Sequence, residues 1–440
     1  MTSPALRACG GLVLAVVGAC RSGPNPDSAS ATPDTGGAQD ASRVADALTV
    51  APARCHAEQG GYSIDDGGAL DELAIGDAIT HHDAQAVGVV RRVGSGRIAG
   101  VVMIPPEGGI ARVVDLGPTL GDAPPPRLVS RAGDIVAAAY AMPRLGAGIQ
   151  AGGRMLRDLT LYAISPEAAV SPLASIKQAR DDSLAFDIAW AEDRGIAVWD
   201  EVAGASRGII RGAAFSSERP IGPNLDISPP DSDAEWPRVV ASGGGFLVVW
   251  IARSADVSST VADASDLEAT GEARAHGWLE MIALDERGST RGPVKRLTPA
   301  SGHVTGYDLQ RLGPGPKASL LVVARDDGEV VDGSGGALLR VRIVGDSVEP
   351  PVAFSTDGLG RGEPTFVGGV DGRPPSLTWV AASEHLRLLP LDPEGAPRGA
   401  PSAEVAMDDA RPLLSLSGAR MLVATPSDGV AQLRVFACVE

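Results

Sequence analysis

Trp236-Pro237-Arg238-Val239-Val240 opens the stretch on which the fold turns. Ser242-Gly243-Gly244-Gly245 follows as a tight turn, and Phe246-Leu247-Val248-Val249-Trp250 is an apolar run behind it. After a long polar loop come Gly277-Trp278-Leu279-Glu280-Met281-Ile282-Ala283-Leu284, the turn Asp285-Glu286-Arg287-Gly288, and the more polar Pro293-Val294-Lys295-Arg296-Leu297. Short apolar runs bounded by glycine turns read as strands, here four in hairpin succession.

The same order recurs along the chain. Arg127-Leu128-Val129, Gly133 and Ile135-Val136-Ala137 begin one copy, and Asp187-Ile188-Ala189-Trp190, Gly195 and Ile196-Ala197-Val198-Trp199 another. Further copies begin at Asp308-Leu309-Gln310, at Thr365-Phe366-Val367 and at Leu413-Leu414-Ser415. An earlier one runs through Val87-Gly88-Val89, Gly96 and Ile98-Ala99-Gly100-Val101-Val102. Copies of four antiparallel strands, roughly 40–70 residues apart, are the mark of an all-β propeller, here of seven blades. Two packed β-sandwiches and an eight-bladed ring are the alternatives. The last copy reaches the C-terminus with three strands. Leu73-Ala74-Ile75-Gly76 and Asp77-Ala78-Ile79-Thr80 resemble segments that close other copies, Leu225-Asp226-Ile227-Ser228 and Arg296-Leu297-Thr298. The expectation is that this N-terminal strand completes the last blade and removes an open sheet edge. The propeller domain is then 51–440.

Composition agrees. Among 440 residues, 55 Gly and 34 Pro make about one residue in five, against ~12% in average usage, which excludes a helical bundle. Hydrophobic residues are 44%, enough for a core, and mean hydropathy is +0.07. The formal net charge of −17 argues against nucleic acid as a partner, because phosphate contacts need surplus Lys and Arg. Aromatic residues at 4% weaken a sugar-stacking reading.

Residues 1–19 have the form of a signal peptide: Arg7, then the apolar run Gly11-Leu12-Val13-Leu14-Ala15-Val16-Val17, too short to span a bilayer. It ends Val17-Gly18-Ala19-Cys20, which resembles the lipobox of bacterial lipoproteins. The resemblance implies that Cys20 is acylated and becomes the mature N-terminus, anchoring the chain to a lipid bilayer. Asp after that cysteine retains enteric-type lipoproteins in the inner membrane; here the residue is Arg21, which implies the outer membrane. Residues 20–50, rich in Ser, Ala, Pro, Asp and Gly, read as a disordered tether. With Cys9 in the signal and Cys20 lipidated, Cys55 and Cys438 remain, one at each end of the domain. In an exported chain they suggest one disulfide, with two buried thiols as the alternative.

The long loops at 141–157, 253–276 and 326–336 would share a face with the connections between blades. Acidic residues gather there, among them Asp233, Glu235, Asp256, Asp263, Asp326 and Asp327. An acidic face suits a basic protein partner or cations; a solvated rim is the plainer reading. Arg127, Asp187, Arg238, Asp308, Glu363 and Arg411 fall near the starts of innermost strands and could converge at the channel mouth, as a binding site or as salt bridges between blades.

Other chemistry is weaker. Gly204-Ala205-Ser206-Arg207-Gly208 matches G-x-S-x-G, but a nucleophile elbow needs a helix after it and Ile209-Ile210-Arg211 continues a strand. Adjacent strand residues point to opposite faces, so His81 and His82 do not readily meet one metal ion. Asp326-Asp327-Gly328-Glu329 lacks the order of a calcium loop. No metal or cofactor is expected. The chain resembles bacterial lipoproteins that carry a propeller domain of uncharacterised function. Two functions are carried forward: a non-catalytic binding scaffold, and a polysaccharide hydrolase or lyase using channel-mouth carboxylates. Paired carboxylates with aromatic neighbours would favour the enzyme, and a salt-bridged channel the scaffold.

Overall fold

The strongest local signal is a run of apolar residues on the second strand of each copy. Val248, Val249, Trp250, Ile251 and Ala252 are all fully buried, as are Ile196 to Trp199 and Leu321 to Ala324. A strand buried on one face alternates apolar with polar; one buried on both faces does not. These strands are sandwiched. Ala197 and Trp199 pack with Val136, Tyr140 and Leu161, whereas their neighbours Ile196 and Val198 pack with Val239, Val248 and Trp250. Among the described residues the core therefore lies between sheets, with an apolar layer at each of five sheet-to-sheet boundaries.

The computed structural model describes residues 54–57 and, with interruptions of which the longest is 254–275, 74–439. The chain divides into Met1–Ala47 and Leu48–Glu440, and the second unit holds every described residue. The expected signal peptide and the whole expected tether, Cys20 included, lie outside the described residues. Among the described residues no helix is long and apolar enough to cross a membrane.

Strand β1 (Arg54–Ala57) stands apart and is taken up below. The first blade is β2 (Ala74–His81), β3 (Ala84–Val93), β4 (Gly96–Ile104) and β5 (Arg112–Thr119). The second is β6 (Arg127–Arg131), β7 (Asp134–Ala141), β8 (Arg157–Ile164) and β9 (Val170–Ala179). The third is β10 (Phe186–Ala191), β11 (Arg194–Ala203), β12 (Arg207–Ser216) and β13 (Leu225–Asp226). The fourth is β14 (Asp233–Ser242), β15 (Gly245–Arg253), β16 (Gly277–Asp285) and β17 (Thr290–Arg296). In the fifth, β18 (Val304–Leu312), β19 (Ser319–Asp326) and β20 (Ala337–Val344) are edged by two short strands, β21 (Ser347–Val348) and β22 (Val352–Phe354). The sixth is β23 (Thr365–Val367), β24 (Ser376–Val380), β25 (His385–Pro390) and β26 (Ser402–Ala406). All pairings within these sheets are antiparallel. The first strands pack in chain order, β2 on β6, β6 on β10, β10 on β14, β14 on β18 and β18 on β23. This is a β-propeller of antiparallel four-strand blades.

Seven copies of consecutive strands do not form: among the described residues, six blades are complete in consecutive strands. The last copy supplies only β27 (Arg411–Ser415), β28 (Arg420–Ser427) and β29 (Val430–Val439), and β1 pairs with β29. A second correction concerns the strand assigned to that edge. The expectation gives residues 73–80 to the last blade; instead 74–80 belong to β2, the innermost strand of the first. The error has a physical source. In the first blade the turn at Gly94 links the second and third strands, not the first and second, so Val87-Gly88-Val89 belongs to a second strand.

Candidate functional site

The innermost strands share a register. Arg127 lies opposite Ala138, Asp187 opposite Val198, Arg238 opposite Val249, Asp308 opposite Val323 and Thr365 opposite Thr378. In the first four blades the first strand turns back into the second through two residues, so equal spacing from the turn places residues at equal height. Asp77, Arg127, Asp187 and Arg238 each stand five residues ahead of a turn residue: His82, Ala132, Glu192 and Gly243. In chain order the signs alternate, Asp77, Arg127, Asp187, Arg238, Asp308.

These side chains meet across blade boundaries. Arg127 pairs with Asp77, and its Nε–H donates to the Phe186 carbonyl at 3.3 Å. Arg238 Nη2 donates to Asp308 Oδ1 at 2.6 Å, and its Nε lies 3.9 Å from Asp187 Oδ2. The carboxylates also bind backbone. Asp187 accepts from Ile188 N–H at 3.0 Å and from Val239 N–H of the next blade at 2.9 Å. Asp308 accepts from Leu309 N–H at 2.9 Å and from Phe366 N–H of the next blade at 2.7 Å. One device thus repeats: an aspartate on one inner strand caps a backbone N–H on the following one. Such charge-assisted bonds are stronger than neutral ones.

Asp187 and Asp308 are buried. Burial raises the Asp187 carboxyl above the usual aspartate range, against the pull of Arg238 and Arg127. Burial alone would lower Arg238, but Asp308, Asp187 and Asp77 outweigh it and the guanidinium holds its proton more tightly than usual. Tyr307, pushed well up by burial, sets its hydroxyl 2.7 Å from the carbonyl oxygens of both Trp236 and Val249, and its one proton serves one of them at a time.

A cavity of about 190 Å³ opens at this junction, walled by Asp77, Arg127, Arg238, Tyr307, Asp308 and Glu363. Gly306 makes room for Glu363: a Cβ there would stand 2.7 Å from Glu363 Cγ. Five of the six residues expected at the channel mouth are thus brought together. Arg411 begins β27, and its side chain lies outside what is described. Asp77 and Tyr307 were missed. The five-residue offset from the turn could have found Asp77; only its strand had been misplaced. Nothing in the sequence singles out Tyr307.

The other candidates separate from this site. Gly208 lies within β12, so G-x-S-x-G is followed by strand, and a Cβ there would meet the Ala234 carbonyl oxygen at 2.4 Å. His81 is buried, with Nδ1 2.7 Å from Ser130 Oγ. Among the described residues no group of three or more His, Cys, Asp or Glu could hold a metal. Most of the long acidic loops lie outside the described residues. Of those acids that are described, Asp233 accepts from Gly208 N–H, Glu235 pairs with Arg253, and Asp327 pairs with Arg325. Cys55 is the cross-strand partner of Cys438 in the β1–β29 pairing.

No protein-family model matches the sequence, and no curated protein matches it. Solved structures show likeness at low identity. A prolyl endopeptidase structure is 13% identical with a TM-score of 0.43, over 83% of this chain and 47% of that one, so this chain spans about half its length. The β-propeller domain of the Trilobed protease from Pyrococcus furiosus, described as having an open velcro topology, is 10% identical with a TM-score of 0.45, over 84% of this chain and 95% of that one. The acylaminoacyl peptidase of Pyrococcus horikoshii is 10% identical with a TM-score of 0.46, over 84% of this chain and 53% of that one. The blade assignment rests on this chain's own strand pairing.

Proposed function

We propose that this protein is an exported, lipid-anchored binding scaffold without catalytic activity. The supporting observation is that its channel charges are spent on one another. Glycoside hydrolysis needs one carboxyl free to donate a proton and another free to attack or to activate water. Here Asp308 takes two backbone N–H groups and Arg238, and Asp187 takes two backbone N–H groups. Such carboxylates join blades.

The scaffold reading takes Cys20 as the acylated anchor, in the outer membrane, with the acidic loops presented to a basic protein. It takes the sheet of β1 and β27–β29 as a seventh blade that closes the ring, supported by the packing of β23 on β27 and of β27 on β2. A Cys55–Cys438 disulfide would lock that closure. Cross-strand Cα atoms are ~4.5–5.5 Å apart, within the range a disulfide spans.

Capture from detergent-solubilised envelopes, by the mature protein and by a version lacking 256–272, tests the reading. A basic protein retained only by the intact chain is expected. Equal capture by both, or turnover of an envelope glycan by the purified protein, would overturn it.

A further inference from the structure

The fourth and fifth blades part at the end that carries their first hairpin turns. Cross-strand partners share a face of a sheet. One such row crosses the fourth blade from Val240 to Leu247, Ala283 and Arg291. Leu247 packs in the apolar layer against the fifth blade, so the row faces that way. Met281 lies in the same layer, and its partner on β17 is Lys295, which puts Lys295 on that face too. The row steps down in size at Ala283, and the fifth blade offers only Ala318 and Gly345 across from it. With small residues on both walls the sheets do not close, and an open cleft of about 600 Å³ remains. Sites for small molecules span roughly 300–1,000 Å³.

The cations of this cleft are not spent as those of the channel are. Arg291 is exposed and makes no hydrogen bond or ion pair among the described residues. Lys295 Nζ donates to the Asp346 carbonyl of the fifth blade, and an ammonium has two further N–H groups. A guanidinium fork matches a carboxylate in plane and spacing. Asp346 is the acid on the rim, so two cations stand against one carboxylate. That balance suits a ligand of single negative charge; a doubly charged phosphate monoester would meet Asp346 with its second charge. Leu247, Ala283, Pro293 and Ala318 line the remainder with carbon, where a hydrocarbon body leaves water.

We infer that this cleft binds a monocarboxylate with a hydrocarbon body, its carboxylate held by Arg291 and Lys295. The cleft opens at the turn ends of β14 and β15, whereas the segment assigned to a protein partner leaves from the opposite end of β15, at Arg253. Either assignment can therefore fail alone.

Isothermal titration calorimetry of the full-length protein tests it, with octanoate below its micelle concentration. Acetate lacks the hydrocarbon body, octan-1-ol lacks the charge and octylammonium reverses it. Octanoate should bind saturably, and each of the other three at least tenfold more weakly. Arg291→Gln should weaken octanoate about tenfold, and Arg291→Lys, which keeps the charge, by less. Arg291 is exposed and unpaired, so both variants should fold, as thermal melts would confirm. No saturable octanoate binding would overturn the site. So would equal binding of acetate, octan-1-ol or octylammonium, or an affinity unchanged in Arg291→Gln.

Discussion

Arg238 Nη2 donates to Asp308 Oδ1 at 2.6 Å, joining inner strands of neighbouring blades across seventy residues of sequence. The same guanidinium lies 3.9 Å from Asp187 of the preceding blade. One cation thus holds three blades, and each aspartate reaches on to a backbone N–H of the next.

Removing that cation should therefore cost more than removing a surface charge. Breaking a buried pair by deleting one partner leaves the other uncompensated, at about 3–5 kcal/mol. Arg238→Gln should lose stability in that range in urea unfolding. A double-mutant cycle with Asp308→Asn should show coupling of ~1–3 kcal/mol. Additive losses would mean that the pair is incidental.

Much of this arrangement was legible beforehand. Second strands such as Phe246 to Trp250 announced themselves, because burial on both faces leaves no polar alternation. The ring charges could be picked out because a tight turn fixes their height: Arg127, Asp187 and Arg238 sit at one offset from it. Asp77 obeys the same offset, but its strand was given to the last blade, since glycine turns mark both the first and the second hairpin. The pairing Arg127 makes with Asp77, and Arg238 with Asp308, depends on blade-to-blade packing, which no local pattern encodes. The long acidic loops carry composition without periodicity, and most of their residues lie outside those described.

His81 gives a pH dependence with a definite sign. Burial first, and His82 next, lower its pKa below the ordinary 6.5. The unfolded chain therefore binds a proton that the folded one resists. Stability is fully present above about pH 6.5 and is lost as pH falls through 6.5 toward the depressed folded value. Urea midpoints should drop from pH 7.5 to pH 5. His81→Gln should flatten that drop; an unchanged slope would remove the assignment.

Two glycines should respond differently to one methyl group. At Gly208 a Cβ would meet the Ala234 backbone oxygen at 2.4 Å, which cannot step aside without moving β14. At Gly306 it would meet side-chain carbons of the exposed Glu363, nearest Cγ at 2.7 Å, rather than backbone. Gly208→Ala should lose about 1–3 kcal/mol, as overpacking does, and Gly306→Ala less. Thermal melts ranking them in reverse would contradict the contact geometry.

Trp236 holds φ at +55°, with its N–H on Asp200 Oδ2 at 3.0 Å and its carbonyl under the Tyr307 hydroxyl. It is 45% exposed, so just over half of its surface is packed and would be given up on replacement. The left-handed region costs a non-glycine residue roughly 1–2 kcal/mol. Relief of the left-handed strain offsets part of that lost burial, so Trp236→Gly should cost no more than about 2 kcal/mol in denaturant titration. A loss above about 2 kcal/mol would show that the indole itself is needed.

The central claim is that the two ends of the domain are joined in one sheet, with Cys55 opposite Cys438. Mild oxidation of the chain carrying Cys9→Ala and Cys20→Ala, followed by proteolysis and mass spectrometry without reduction, tests this most directly. The account predicts one intramolecular cross-linked peptide pair, Cys55 to Cys438, in a monomer. Free thiols at both positions after oxidation, or disulfide-linked dimers in place of the internal link, would contradict it.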